Sequence, residues 1–396
     1  MDNRSAFIVE ELYRLGPMSN QELSRHMNLS PASITHILQP MVFHGILKER
    51  PPEDYPDQAL HLAAVTDQKI RRKITVTPNP EYGYVLALDF TGKQIQFRKI
   101  DFSLTLEPNF MMSIEMVQST DLIDLIAQTV RLIRHEDTRQ LLALGLTVVG
   151  RVDASGSQLT ESTKLNFLVG KDLAGDISRS TQVPVILTNA ANALSIHERF
   201  AGKARLLEDF FSLHINDGAG MGIFTHGQLY EGHGSQAGAS GHWIVDPAGP
   251  EIEGCPRGSF ESYVSHVAIA GKLREAGYKL QDHEAYRVLE SEIAKRESGP
   301  AVSIMDMICG TTAWLCTNLM QIFAPQKVFI SGPLAELGEP FLSRTQKRIH
   351  ELAMPQQADD MARSIELSSD WKRSMAIGTA QQVIAAHLAS ISRRSH

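Results

Sequence analysis

The chain has 396 residues, 43% of them apolar, enough for about two or three domains with real cores. Its formal net charge of −7 excludes a uniformly basic nucleic-acid binder, so any DNA contact must come from a local patch. It has no apolar run of about eighteen residues, its N-terminus (Met-Asp-Asn-Arg-Ser) lacks a secretory core, and its three cysteines form no disulfide framework. A cytoplasmic location without membrane insertion is therefore expected.

Residues 6–14 place Phe7, Ile8, Leu12 and Tyr13 near helical spacing, and Gly16-Pro17 ends that helix. Ser19 with Glu22 three residues on is a capping box that opens a second helix, whose apolar face is Leu23 and Met27. After a short Asn28-Leu29 turn, Ser30 is an N-cap. Pro31 then takes the first helical position, where its missing N–H costs nothing. Ile34, Ile37, Leu38 and Met41 keep helical spacing, and Gly45 closes the element. Helix, helix, short turn and helix is a helix-turn-helix pattern, with residues 19–27 as support and residues 30–43 as the recognition helix.

The groove-facing candidates are Ser30, Ala32, Ser33, Thr35 and His36. Pro40 predicts a kink beyond that reading end. Charge over residues 1–50 balances to zero, from five basic and five acidic side chains. The stronger basic signal is Lys69, Arg71, Arg72 and Lys73, just before the strand-like Ile74-Thr75-Val76. That suits a wing whose cations meet phosphates or the minor groove. A three-helix protein-interaction module with a solvated basic strand is the competing reading of the same pattern.

From residue 83 the pattern becomes α/β. Strands are expected at 84–90, 94–100, 141–149, 185–187 and 211–215, with helices at about 120–135 and at 376–389. Asn216-Asp217-Gly218-Ala219-Gly220-Met221-Gly222 follows a strand. Its glycines permit the tight backbone of a phosphate cradle, although Gly-rich hairpins are the commoner use of such a run.

Six segments in order carry a resemblance to a known family. They are residues 145–153 (Gly-Leu-Thr-Val-Val-Gly-Arg-Val-Asp), Asn189-Ala190-Ala191-Asn192, residues 217–222, Gly238-Ala239-Ser240-Gly241-His242, Gly258-Ser259-Phe260-Glu261 and Ser331-Gly332-Pro333. In these the chain resembles the ROK family, which groups sugar-responsive repressors with sugar kinases. The resemblance runs from the head to Gly378-Thr379-Ala380. It implies an actin-like ATPase fold of two α/β lobes with sugar bound between them, and strengthens the DNA-binding reading of the head. The expected organisation is a winged helix-turn-helix over residues 1–78 and a ROK-type effector and oligomerisation domain over 79–396.

Several departures from the kinase pattern matter. Family kinases open the body with Asp-x-Gly-Gly-Thr-Lys, whereas this chain reads Asp89-Phe90-Thr91-Gly92-Lys93-Gln94. The family's catalytic aspartate maps to Ala190, and a methyl group cannot take a proton from a sugar hydroxyl. The glutamate of Glu-x-Gly-His maps to Ala239, which leaves Asn189, His242 and Glu261 of the sugar site that the resemblance implies. In the family's zinc motif, Ile252, Gly254 and Ser259 stand at the three cysteine positions, with Cys255 one residue out of place. No metal or other cofactor is therefore expected.

Loss of a general base costs ~10²–10⁴ in rate, so no catalytic residue is expected either. The reading is a repressor of sugar uptake or catabolic genes. It would bind a palindromic operator as a homodimer or homotetramer and respond to a sugar or sugar phosphate. Two alternatives stay open. One is an ATP-dependent sugar kinase with a DNA-binding head, using Asp153 or Asp217 as a substitute carboxylate. The other is a scaffold for a partner such as a transport-system protein.

Overall fold

The computed structural model describes residues 3–51, 74–91, 93–115, 121–295, 298–368 and 370–394. It contains two compact units. One comprises Met1–Asn189, Ile196–Leu206 and Ala376–His396, the other Ala190–Ser195 and Leu207–Met375.

The first unit begins with helix α1 (Asn3–Leu15), strand β1 (Met18–Ser19), helices α2 (Asn20–Met27) and α3 (Pro31–Phe43), and strands β2 (Leu47–Arg50) and β3 (Thr75–Pro78). Gly16, at φ +87°, ends α1, and its amide donates to the Leu12 carbonyl at 3.1 Å. The capping box forms as expected. The Ser19 amide donates to Glu22 at 2.7 Å, and the Glu22 amide donates to the Ser19 hydroxyl at 3.4 Å. The Ser30 hydroxyl accepts the Ser33 amide at 3.1 Å, and α3 continues through Pro40 to Phe43. The three strands pair antiparallel in the order β1-β3-β2, the small sheet of a winged helix-turn-helix.

Among the described residues, the apolar side chains of the head form no separate cluster of their own. Ile8, Leu12, Leu23, Ile34 and Leu38 share one apolar cluster with Val85, Ile100 and Phe102 of the following sheet and with Ala380, Val383 and Ile384 of the last helix, Trp371–Arg394.

That sheet holds β4 (Tyr84–Asp89), β5 (Gln94–Asp101), β6 (Met112–Glu115), β7 (Leu141–Val148) and, after the hairpin of β8 (Arg151–Val152) and β9 (Leu159–Glu161), β10 (Val185–Asn189). The order is β10-β7-β4-β5-β6, with β10, β7 and β4 parallel and the rest antiparallel. Parallel strands covered on both faces read as continuous apolar runs, as in Tyr84-Val85-Leu86-Ala87-Leu88. Helices α4 (Asp121–Glu136) and α5 (Leu173–Thr181) serve the same sheet. Gly145 sits where the last helix comes close. A Cβ there would lie 2.5 Å from the Thr379 methyl.

In the second unit, the first turn of α6 (Ala190–Phe200) precedes β11 (Phe210–Ile215), β12 (Ala219–Thr225), β13 (Gln228–Leu229), β14 (Lys327–Ser331) and β15 (Ile365–Leu367). Their order, β13-β12-β11-β14-β15, repeats that of the first sheet: a central first strand, a hairpin on one side and two parallel strands on the other. This duplicated α/β architecture is the two-lobed actin-like fold expected above. The Gly-rich run is the hairpin between β11 and β12, not a strand-to-helix phosphate loop. Its glycines permit close packing, since a Cβ on Gly222 would lie 2.0 Å from the Ser195 hydroxyl.

Candidate functional site

The head presents one face of α3. Ala32, His36, Gln39 and Phe43 are exposed at helical spacing, Phe43 to 85%. Sequence reasoning named the first two and missed Gln39 and Phe43. The signal was available in the three- and four-residue steps that continue from His36. Ser30 and Ser33 are engaged in the cap, where their hydroxyls also meet at 2.9 Å. Thr35 is half-buried. It accepts the Asn20 side-chain amide at 3.1 Å and donates to the Pro31 carbonyl at 3.0 Å, which ties α3 to α2. Lys69, Arg71, Arg72 and Lys73 lie outside the described residues.

In the second unit, Glu261 opens the short helix α7 (Glu261–Val264) and is half-buried. Its Oε2 accepts the Ala219 amide at 2.9 Å, and its Oε1 accepts the Cys255 thiol at 3.2 Å. Two glycines give the carboxylate room. A Cβ on Gly218 would lie 3.0 Å from Oε2, and one on Gly241 2.6 Å. His242, exposed and next to Gly241, is thereby brought to the neighbourhood of Glu261. Ala239 is exposed and offers no acceptor beyond its backbone. Asn189 belongs to the first unit, where its side-chain amide donates to the Gly150 carbonyl at 2.6 Å.

Ala190, at the first position of α6, is only 6% exposed. It forms an apolar cluster with Ala193, Leu194, Trp371 and Met375. The Trp371 ring lies 5.2 Å from that of His214, and its N–H donates to Glu336 at 3.0 Å. Burial pushes the His214 pKa down to about 4, so this imidazole is neutral at ordinary pH.

The two substitute carboxylates are engaged elsewhere. Asp153, in the β8–β9 turn, accepts the amides of Gln158 at 2.7 Å and Ser157 at 2.8 Å. Burial alone would raise its pKa, but hydrogen bonds from the Ser155 hydroxyl and these amides hold it below the ordinary aspartate value. That is the wrong direction for a base near neutral pH. Asp217 pairs with His266 at 3.0 Å, and the His266 ring packs edge-on against Tyr286 at 4.2 Å. Asp89, the remnant of the phosphate motif, accepts the Thr91 amide at 2.8 Å, and Gly92 lies outside the described residues.

The segment that would carry a structural zinc does not suit one. Ile252 and Gly254 offer no side-chain ligand, and the Cys255 thiol faces a carboxylate. Among the described residues no group of three or more His, Cys, Asp or Glu side chains could hold a metal ion.

The ROK family matches residues 87–385 and the MarR family residues 3–54. The glucokinase of Thermotoga maritima is 26% identical over 245 residues, which is 59% of this chain and 77% of that protein. The xylose repressor of Bacillus spizizenii is 22% identical over 389 residues, 95% of this chain and 94% of that protein. A solved ROK family transcriptional regulator, described as a homolog of the Escherichia coli MLC protein, superposes with a TM-score of 0.75 at 18% identity over 99% of both chains.

Proposed function

Because the chain belongs to the ROK family and carries a winged helix-turn-helix ahead of it, we propose that it is a sugar-responsive transcriptional repressor. The single observation that carries this reading is Ala190. The position where a sugar kinase would need its base is a methyl group in an apolar cluster with Trp371 and Met375. The xylose repressor supports it too, since that match extends over nearly the whole chain while the glucokinase match spans about three-fifths.

The exposed face of α3 reads an operator half-site in the major groove, and the basic run at Lys69, Arg71, Arg72 and Lys73 meets the backbone. Residues 1–78 form the DNA-binding domain, and residues 79–396 sense effector and assemble the homodimer or homotetramer that a palindromic operator requires. The effector is a sugar or sugar phosphate held through Asn189, His242 and Glu261, with no phosphoryl transfer. It acts only through its different affinity for the DNA-binding and released states. The place of action is the cytoplasm. No helix among the described residues is long and apolar enough to cross a membrane. A transport-system protein is a further partner class for the body.

The test is an operator-release titration with a panel of sugars, run beside a coupled assay for ADP. A responsive sugar should release wild-type protein from DNA without forming ADP, and Glu261→Ala should bind DNA yet ignore that sugar. Sugar-dependent ADP formation would replace this reading with a kinase.

A further inference from the structure

The segment from Trp243 to Phe260 keeps its shape through hydrogen bonds. The amides of Val245 and Asp246 donate to the Gly258 carbonyl at 2.9 and 3.2 Å, and the Gly258 amide donates to the Pro250 carbonyl at 2.8 Å. The Asp246 carboxylate accepts the Ala248 amide at 2.9 Å and the Tyr263 hydroxyl at 3.3 Å. Gly258 is required at the crossing point. Its φ is +65°, and a Cβ there would lie 1.6 Å from the Asp246 carbonyl oxygen. This belt delivers Cys255 to the first residue of α7.

We propose that Cys255 is a positioning residue for Glu261: its thiol holds one carboxylate oxygen while the Ala219 amide holds the other, fixing the carboxylate to receive a pair of sugar hydroxyls. A carboxylate offers about four lone-pair sites, so these two donors leave about one on each oxygen. That is a bidentate acceptor with its plane already set, and the binding cost of ordering it is reduced. The thiol is suited to this work. Burial, and then the Glu261 charge, push its pKa up to about 12, so it remains an S–H donor instead of a thiolate that would repel the carboxylate. The inference rests on the reading of Glu261 as a sugar contact.

Cys255 is half-buried, and the other two cysteines, Cys309 and Cys316, are buried, so alkylation of the native full chain reports on Cys255. The experiment is the iodoacetamide reaction at pH 8, followed by intact mass. Wild type should react slowly, and Glu261→Gln, which removes the adjacent charge, about tenfold faster. Equal rates would overturn the proposal.

Calorimetric titration with D-xylose, D-glucose and N-acetyl-D-glucosamine provides the second readout. Cys255→Ser, which keeps a donor, should bind within about threefold of wild type, and Cys255→Ala about tenfold more weakly. Full affinity in Cys255→Ala would also overturn it. If wild type binds none of the three, the sugar reading of Glu261 falls and this positioning role with it, while the alkylation rates still decide whether Cys255 holds that carboxylate.

Discussion

The Tyr13 hydroxyl donates to the Phe102 carbonyl at 2.6 Å, joining the first helix of the head to a residue 89 positions further along the chain. Phe102 also packs edge-on against the Tyr82 ring at 4.7 Å, and the Arg14 guanidinium donates to the Arg205 carbonyl at 3.1 Å. The head and the first sheet therefore share a core, so a change in the setting of that sheet should be felt at α3. Tyr13→Phe removes the donor and leaves the Phe102 carbonyl unpaired, for a loss of ~1 kcal/mol in denaturant unfolding. Operator affinity should survive while sugar-driven release is blunted. Unchanged stability together with an unchanged release curve would sink this coupling.

Gln39 shares the exposed face of α3 with His36. A glutamine can bridge N6 and N7 of adenine, and a good bidentate contact of this kind is worth ~1–3 kcal/mol of base discrimination. Gln39→Ala should therefore relax preference at one position of each half-site and leave the salt dependence alone. Arg72→Ala should weaken all sequences alike and lower the salt slope by about one. Selection from a randomised site, at two salt concentrations, separates these outcomes. A Gln39→Ala preference identical to wild type would remove Gln39 from the reading set.

What was readable in the sequence was local. Ser19 with Glu22, and Ser30 ahead of Pro31, announce helix starts because the partners of a cap lie within one turn. The alternation of strands and helices, and the methyl at Ala190, were legible for the same reason. What was not legible depends on distant partners. Nothing near Thr35 says that Asn20 occupies its hydroxyl, and nothing near Tyr13 points to Phe102. In the sequence Cys255 stands out only as one residue out of place for a zinc motif; its contact with Glu261 depends on the Asp246–Gly258 belt that brings the two together.

Ala190→Asp restores the residue type of a kinase base but not its setting. The new carboxylate would enter the cluster of Leu194, Trp371 and Met375, where burial disfavours its charged form. The expected result is a loss of ~2–4 kcal/mol in stability and no sugar-dependent ADP. Robust ADP formation by this variant would show that the rest of the kinase machinery is intact.

His214 gives the fold a pH dependence with a definite sign. Its folded pKa is about 4, against about 6.5 when unfolded, so below about pH 6.5 the unfolded chain binds the extra proton. This stability is present above about pH 6.5 and is lost as pH falls towards 4, by an amount on the order of 3 kcal/mol. Asp217 works weakly against the shift, and Ser331 lies 3.2 Å from Nδ1. Denaturant midpoints for wild type and His214→Gln, taken between pH 4 and 7, should converge at the acid end. Parallel curves would mean that His214 takes up its proton without cost.

The central claim is tested most directly by capturing genomic DNA fragments with the purified full-length protein at stated salt, followed by sequencing. The account predicts enrichment of a palindromic site whose half-sites lie about one helical turn, or a multiple, apart, beside genes for sugar uptake or breakdown. No enrichment, even at low salt where phosphate contacts are strongest, would contradict it.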